Sequence, residues 1–267
     1  MRPLRMYFEF SRKAFQRSAA YRFDAWTRLF SNIIFLFMWG FIWYGLYSGK
    51  EAVGGVTFES MLSYIVISQM LQGIHGAGTP LWEIQERVRT GDIAMEMMRP
   101  YDYPTRTLFS DLGNITFHMI TAVLPLYAVL FLIFDLHMPS SFTQWSLFLY
   151  SAVVGYLIRY SLELTFGLFT FWLIETGGVE DIFYFSISLF SGSVIPLWFF
   201  PGWLEAVARY LPFQGIFFIP NSIFVGQVQG SQLFEALFIQ LVWLFISYAI
   251  LRWVWAKAAT KIVVQGG

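Results

Sequence analysis

Arg159 and Glu163 stand one helical turn apart inside a long apolar run, and that placement demands a chemical reason. An Arg at mid-bilayer costs roughly 2.5–3.5 kcal/mol on insertion scales, so a side chain left alone in lipid is not the solution. At i,i+4 spacing the guanidinium and the carboxylate can pair. Two roles fit the pair. It can be a neutralised strut that fixes its helix against a neighbour, or it can face a polar cavity with Glu163 available to a cationic or polar group on a cargo molecule. A proton relay through the same two residues is the chemistry of an ion-coupled secondary transporter.

A second constellation lies in the charged stretch from Pro80 to Pro100, which carries Glu83, Glu86, Arg87, Gly91 and Asp92. It is too charged to enter lipid and too apolar for a solvated linker. Leu81, Ile84 and Val88 recur at helical spacing, Thr90-Gly91-Asp92 interrupts them, and Ile93, Met97 and Met98 resume the pattern. The spacing predicts a short helix, a turn and a second short helix. Gly91 supplies the turn's backbone freedom, and Asp92 can cap the helix that follows. A Met-rich apolar face on such a connector suits a protein partner, whereas packing on the chain's own helices is the alternative.

Other chemistry is missing. There is no Cys, and the only His residues are His75, His118 and His137, with no H-E-x-x-H, no G-x-S-x-G and no acidic cluster on one apolar run. Hydrolytic and metal-based catalysis are therefore not expected, and neither is a bound metal or cofactor. The only Gly-Lys pair, Gly49-Lys50, is followed by Glu51, so no phosphate-cradling ATP loop exists. A formal net charge of zero argues against a nucleic-acid partner.

The elements that hold these residues are set by the bilayer. Hydrophobic residues make up 57% of the chain and charged ones only 13%, against roughly 25% charged in a typical soluble domain. Six runs approach the ~20 residues that a crossing requires: Leu29 to Tyr47, Phe58 to Gly78, Leu112 to Phe134, Trp145 to Leu173, Ile182 to Phe200 and Leu233 to Trp255. The second is diluted by Ser63, Ser68, Gln69, Gln72 and His75, which suits a face buried against other helices. Basic residues gather before the first run, after the second and after the last. By the positive-inside rule both termini and the Pro80 to Ser110 loop are cytoplasmic. The Ile174 to Glu180 gap belongs on that side too, although it carries Glu175 and Glu180 and no basic residue. Trp26, Trp39, Trp43, Trp82, Trp145, Trp172, Trp198, Trp203 and Trp255 mostly fall near the ends of runs, as interfacial belts require.

Two further segments are irregular. In Pro3 to Phe23, Leu4, Phe8 and Phe15 recur at helical spacing with Arg5, Arg12, Lys13 and Arg17 between them. This fits a helix lying in the cytoplasmic interface or a basic flank that fixes topology. From Pro201 to Gly226, Pro201, Pro212 and Pro220 break any continuous helix while Trp203, Leu204, Leu211, Phe213, Phe217 and Phe218 still seek burial. Short helices dipping into the outer leaflet meet both demands, provided protein or water covers the breaks.

Ile84-x-Glu86-Arg87-x-x-x-Gly91-Asp92-Ile93 followed by Met97-Met98-Arg99-Pro100 resembles the coupling segment of type-2 ABC exporter permeases. Ile195 to Phe213, continuing to Pro220 and Gly226, is similar to that family's fifth span and the paired outer or re-entrant helices after it. Gly91-Asp92 stands where many members have a Gly-Thr pair. The resemblance implies an all-α integral membrane protein with one permease domain over residues 1–267. That domain would comprise six transmembrane helices, a cytoplasmic interfacial helix within 1–28, a coupling segment within 79–111 and an outer re-entrant segment within 201–232. It implies ATP-driven export across a bacterial inner membrane, with ATP and Mg on separate cytosolic ABC ATPase subunits and a second permease, identical or related, completing the pathway. Glu83, Glu86, Arg87, Gly91 and Asp92 would then couple to the ATPase, and Pro201, Trp203, Pro212 and Pro220 would form an outer gate. The abundant aromatic residues admit a hydrophobic or amphiphilic cargo.

Overall fold

The computed structural model describes residues 2–20, 22–78, 80–134, 136–173 and 177–261. Glu175 of the acidic gap lies outside the described residues, as does the side chain of Trp26. The chain opens with α1 (Arg2–Ala20) and α2 (Arg22–Tyr47). One face of α1 lies on α6 (Tyr103–His118), where a Cβ on Gly113 would come within 2.1 Å of the Ser11 carbonyl oxygen. Phe15 meets Phe117 edge-on at 5.5 Å, and the Ser18 hydroxyl donates to Asn114 Oδ1 at 3.0 Å. The apolar face anticipated for this helix is thus divided. Phe15 turns inward, whereas Leu4 and Phe8 stay exposed, as an interfacial helix needs.

Among the described residues, four helical stretches are long and apolar enough to cross a membrane: Leu29–Tyr47, Tyr103–Leu132, Phe142–Phe171 and Ser231–Lys261. The first and last are only 11% buried, and Phe30, Phe35, Phe41, Phe234, Phe238 and Phe245 are exposed on them, as on lipid-facing helices. The third, formed mainly by α8 (Phe142–Leu168), is 67% buried and is the central post of the fold. In the second, α6 passes through a π-helical turn at Met119–Val123 into α7 (Leu124–Ile133). Pro125 explains the turn, because its ring cannot donate a hydrogen bond to, and clashes with, the carbonyl four residues back.

The two remaining expected runs differ from simple crossings. The second becomes α3 (Phe58–His75), a helix whose polar residues sit inside the protein: the Tyr64 and Ser68 hydroxyls donate to the Gly192 and Ser193 carbonyls, each at 2.7 Å. The fifth becomes α9 (Gly177–Phe190), which ends early because the chain turns at Gly192, with φ 73°, and bends again at Pro196. That turn supplies the carbonyls that α3 caps.

At the end of the molecule where α2 gives way to α3, a two-stranded hairpin pairs Ala52–Val53 with Val56–Thr57. Gly54 and Gly55, both at positive φ, close it with the twist that a two-residue turn demands. The remaining elements are α4 (Pro80–Thr90), α5 (Asp92–Met97), α10 (Gly202–Tyr210), α11 (Phe218–Phe224) and α12 (Ser231–Lys261). Buried apolar residues form two clusters, one running from the hairpin end through α11 and the other around α4, α6 and the far end of α12.

Candidate functional site

The charged connector is built on α4 and α5, and its inner side is fastened to the body. Leu81 and Ile84 are fully buried against α8, where a Cβ on Gly167 would come within 2.4 Å of Ile84 Cγ2 and 2.9 Å of the Leu81 carbonyl oxygen. Above this contact, Glu83 Oε1 accepts from Arg106 Nη1 at 2.6 Å and pairs with Arg87 Nη2 at 3.0 Å. Arg87 Nη1 continues to Glu96 Oε1 at 2.8 Å, and Glu96 also takes the Tyr101 hydroxyl. One chain of charges therefore ties α4 to α5 and to α6. Asp102 extends the bracing by accepting from Arg252 Nη1 of α12 at 2.6 Å while capping α6 through Thr105.

Burial works against the ionised Glu83 carboxyl, but the Arg106 and Arg87 guanidiniums outweigh it and hold the group below its ordinary range. The same balance acts on Asp102: burial raises it, and the Thr105 and Arg252 hydrogen bonds bring it lower overall. Both carboxylates are thus kept charged by their partners.

The other face of the connector is open. Glu86 and Asp92 are exposed, as are Trp82, Met95 and Met98. Gly91, at φ 80°, makes the turn between the helices, as its freedom allows. Gly91 itself occupies the N-cap, so Asp92 is the first helical residue and not the cap that the spacing suggested. Its carboxylate there still favours the helix N-terminus. Glu83 and Arg87 are brought together; Glu86 and Asp92 stand outside their ion pairs and line, with them, a cavity of about 500 Å³. Trp82 Nε1 donates to Glu180 Oε2 at 3.0 Å, linking α4 to the start of α9.

Arg159 and Glu163 pair within α8 at 3.4 Å. Glu163 is 2% exposed and also takes the Tyr184 hydroxyl at 3.0 Å, while Arg159 donates to the His75 carbonyl. Each member of the pair reaches a different helix, α9 and α3. A neighbouring buried carboxylate, Asp111 of α6, escapes notice in the sequence because it sits at the edge of an apolar run among polar residues that read as a flank. Its Oδ2 accepts from the Tyr156 hydroxyl of α8 at 2.7 Å.

The Pro-interrupted segment folds into α10, a 3₁₀ turn at Pro212–Gly215 and α11. Pro201 precedes α10, Pro212 opens the 3₁₀ turn, and Pro220 falls in the first turn of α11, where a missing N–H costs little. Pro212 and Pro220 are buried, whereas Trp203 is 71% exposed and stands apart from them. The α11 helix lies inside the protein: Gln144 Nε2 of α8 caps it by donating to the Ile223 and Phe224 carbonyls at 2.8 and 3.0 Å. Gln240 Nε2 of α12 donates to the Gly215 and Ser151 carbonyls at 2.7 and 2.8 Å. A Gln within an apolar run was the visible signal for Gln240; Gln144 gave none, since it opens its run. Just before α11, Phe217 packs its ring on His75 at 5.0 Å, so the segment reaches the element that receives Arg159.

A family model described as ABC-2 family transporter protein matches residues 33–266. No curated protein and no solved structure matches the chain.

Proposed function

The chain belongs to the ABC-2 transporter family, and from that premise we propose that it is the permease of an ATP-driven exporter. As a family member it is a multi-pass membrane protein and the permease subunit of an ABC transporter, which works with ATPase subunits. In the finer reading it crosses a bacterial inner membrane six times, with α3 and α9 completing the crossings of the four long helices. Both termini are cytoplasmic, and the pathway forms between two permeases. The observation that carries this reading is the one-sided connector. Its inner face is fixed by Leu81, Ile84 and the Arg106–Glu83–Arg87–Glu96 chain, and its outer face presents Trp82, Glu86, Asp92, Met95 and Met98. A rigid element with an exposed, Met-bearing face suits the docking of a mobile partner.

At the opposite end, α10 and α11 act as the outer gate, with α11 the plug and α10 its exposed cover. An ion-coupled secondary carrier has less support, because the charges of Arg159 and Glu163 are engaged with each other, Tyr184 and the His75 carbonyl. The test is a pull-down of the tagged chain from its native membrane, with the ATPase identified by mass spectrometry. Co-purification is expected for the wild type and is expected to fail for the Met95→Asp/Met98→Asp double variant. Equal recovery from both would remove the docking face, and no ATPase in either would remove the exporter reading.

A further inference from the structure

Asp111 poses a problem that the exporter reading alone does not solve. It lies eight residues into α6, about 12 Å along the helix at 1.5 Å per residue, and it is 6% exposed. A carboxylate at that depth is costly unless it is paired or used. The neighbouring guanidiniums form their ion pairs elsewhere: Arg159 with Glu163, Arg106 with Glu83, and Arg87 with Glu83 and Glu96. Among the described residues, the Tyr156 hydroxyl donates to the carboxylate. The other oxygen, Oδ1, sits where a side chain on residue 78 would begin, 1.2 Å from the position of a Cβ on Gly78. Glycine at 78 therefore makes the room that this carboxylate occupies.

Asp111 is also not sealed off. It lines the cavity of about 500 Å³ that opens beside the connector, together with Thr107 one turn before it and Trp82, Glu83, Glu86 and Asp92 at the mouth. Thr107 Oγ1 is buried and meets no partner at hydrogen-bond geometry. Two bases, Arg17 and Arg87, line the cavity with four acids, Glu83, Glu86, Asp92 and Asp111, which leaves an acidic excess of two charges. Among the described residues there is no group of three or more His, Cys, Asp or Glu able to hold a metal ion. A hard cation stripped of water needs about six oxygen ligands, which one carboxylate and a hydroxyl do not provide. An organic cation needs only a counter-charge and an apolar or aromatic surface; Asp111 offers the first, and Trp82 and Pro80 line the same cavity.

We propose that this cavity is a cytoplasm-facing binding site for lipophilic organic cations, with Asp111 as the counter-charge. The inference rests on the exporter reading, because it names the cargo class of that exporter. The positive centre of the cargo would stop at the Asp111 carboxylate.

The test uses the full-length chain alone in nanodiscs and follows ethidium binding by fluorescence. Saturable binding is expected, displaced by tetraphenylphosphonium and at least tenfold less effectively by tetraphenylborate, which has the same shape and the opposite charge. Asp111→Asn keeps the side chain's size and is expected to weaken ethidium binding about tenfold or more; Gly78→Ala, which evicts the carboxylate, is expected to do the same. Equal displacement by both tetraphenyl ions, or no saturable binding to the wild type, overturns the proposal without any variant having to fold. Retained affinity in a folded Asp111→Asn protein overturns the role of that residue. Because the assay contains no ATPase, failure here together with ATPase co-purification would leave the exporter reading standing, whereas loss of co-purification would strike that reading by itself.

Discussion

Glu83 shows how one carboxylate can hold the α4–α5 connector in place. It accepts from two guanidiniums that are largely buried, so Glu83→Gln leaves Arg106 and Arg87 short of charge and is expected to cost on the order of 2 kcal/mol. The readout is ATPase-coupled turnover and thermal stability, both reduced, with membrane insertion unchanged. The pH dependence follows in sign. Glu83 is held below its ordinary range, so its stabilisation is complete above the unfolded value of about 4.3 and is lost as pH falls through the lower folded value. Melting temperature followed from pH 7 to pH 3 is expected to hold until about pH 4 and to drop below it, and Glu83→Gln is expected to flatten that drop. Glu163→Gln, in contrast, strands a guanidinium inside the protein and is expected to cost about 3–5 kcal/mol. Its protein yield and transport are then expected to fall in parallel; transport lost at normal yield would place Glu163 in the pathway instead. The Arg159–Glu163 pair was legible in sequence because i,i+4 spacing writes a local contact into the chain. Arg106 and Asp111 were not, because their partners Glu83 and Tyr156 are far away in sequence and no spacing announces them.

At the scale of elements, close backbone approach decides which helices stay together. Gly113 lets α1 lie on α6, and Gly155 lets α8 approach the Gly215 carbonyl oxygen, which a Cβ would meet at 2.5 Å. Gly113→Leu is expected to detach α1 and to raise proteolytic cleavage between α1 and α2, measured in nanodiscs by limited trypsin digestion. Gln144→Leu removes the cap of α11 and is expected to cost about 1 kcal/mol while increasing passive leak of a small dye through proteoliposomes. Leak unchanged from wild type would deny α11 its role as plug. The apolar runs that became α2, α8 and α12 were plain from composition, since each is one unbroken stretch. The run at Ile182 to Phe200 is helical only as far as Phe190, because hydropathy cannot see that Gly192 and Pro196 end the helix within it. The polar residues of α3 were a sign of burial, but their partners lay on that turn.

For the whole molecule, the contacts place α1, the α4–α5 connector and the Arg252 end of α12 together, while the hairpin, α10 and α11 gather at the far end. The chain has no Cys, so orientation is directly measurable. A single Cys at Met98 is expected to react with a membrane-impermeant maleimide only in inside-out vesicles, and one at Ser140 only in right-side-out vesicles. The reverse pattern would invert the topology. The positive-inside pattern already implied this arrangement, because basic residues mark the same end three times over. What charge could not express is that one helix joins the two ends. The 27 residues of α8, about 40 Å long, touch the connector at Gly167, α9 through Glu163, α12 through Ser151 and α11 through Gln144. If α8 moves as a rod, opening at one end and sealing at the other share a single reaction coordinate. Reporters at the two ends would then relax with one rate constant, and a conformation open at both ends would have no minimum in which to accumulate.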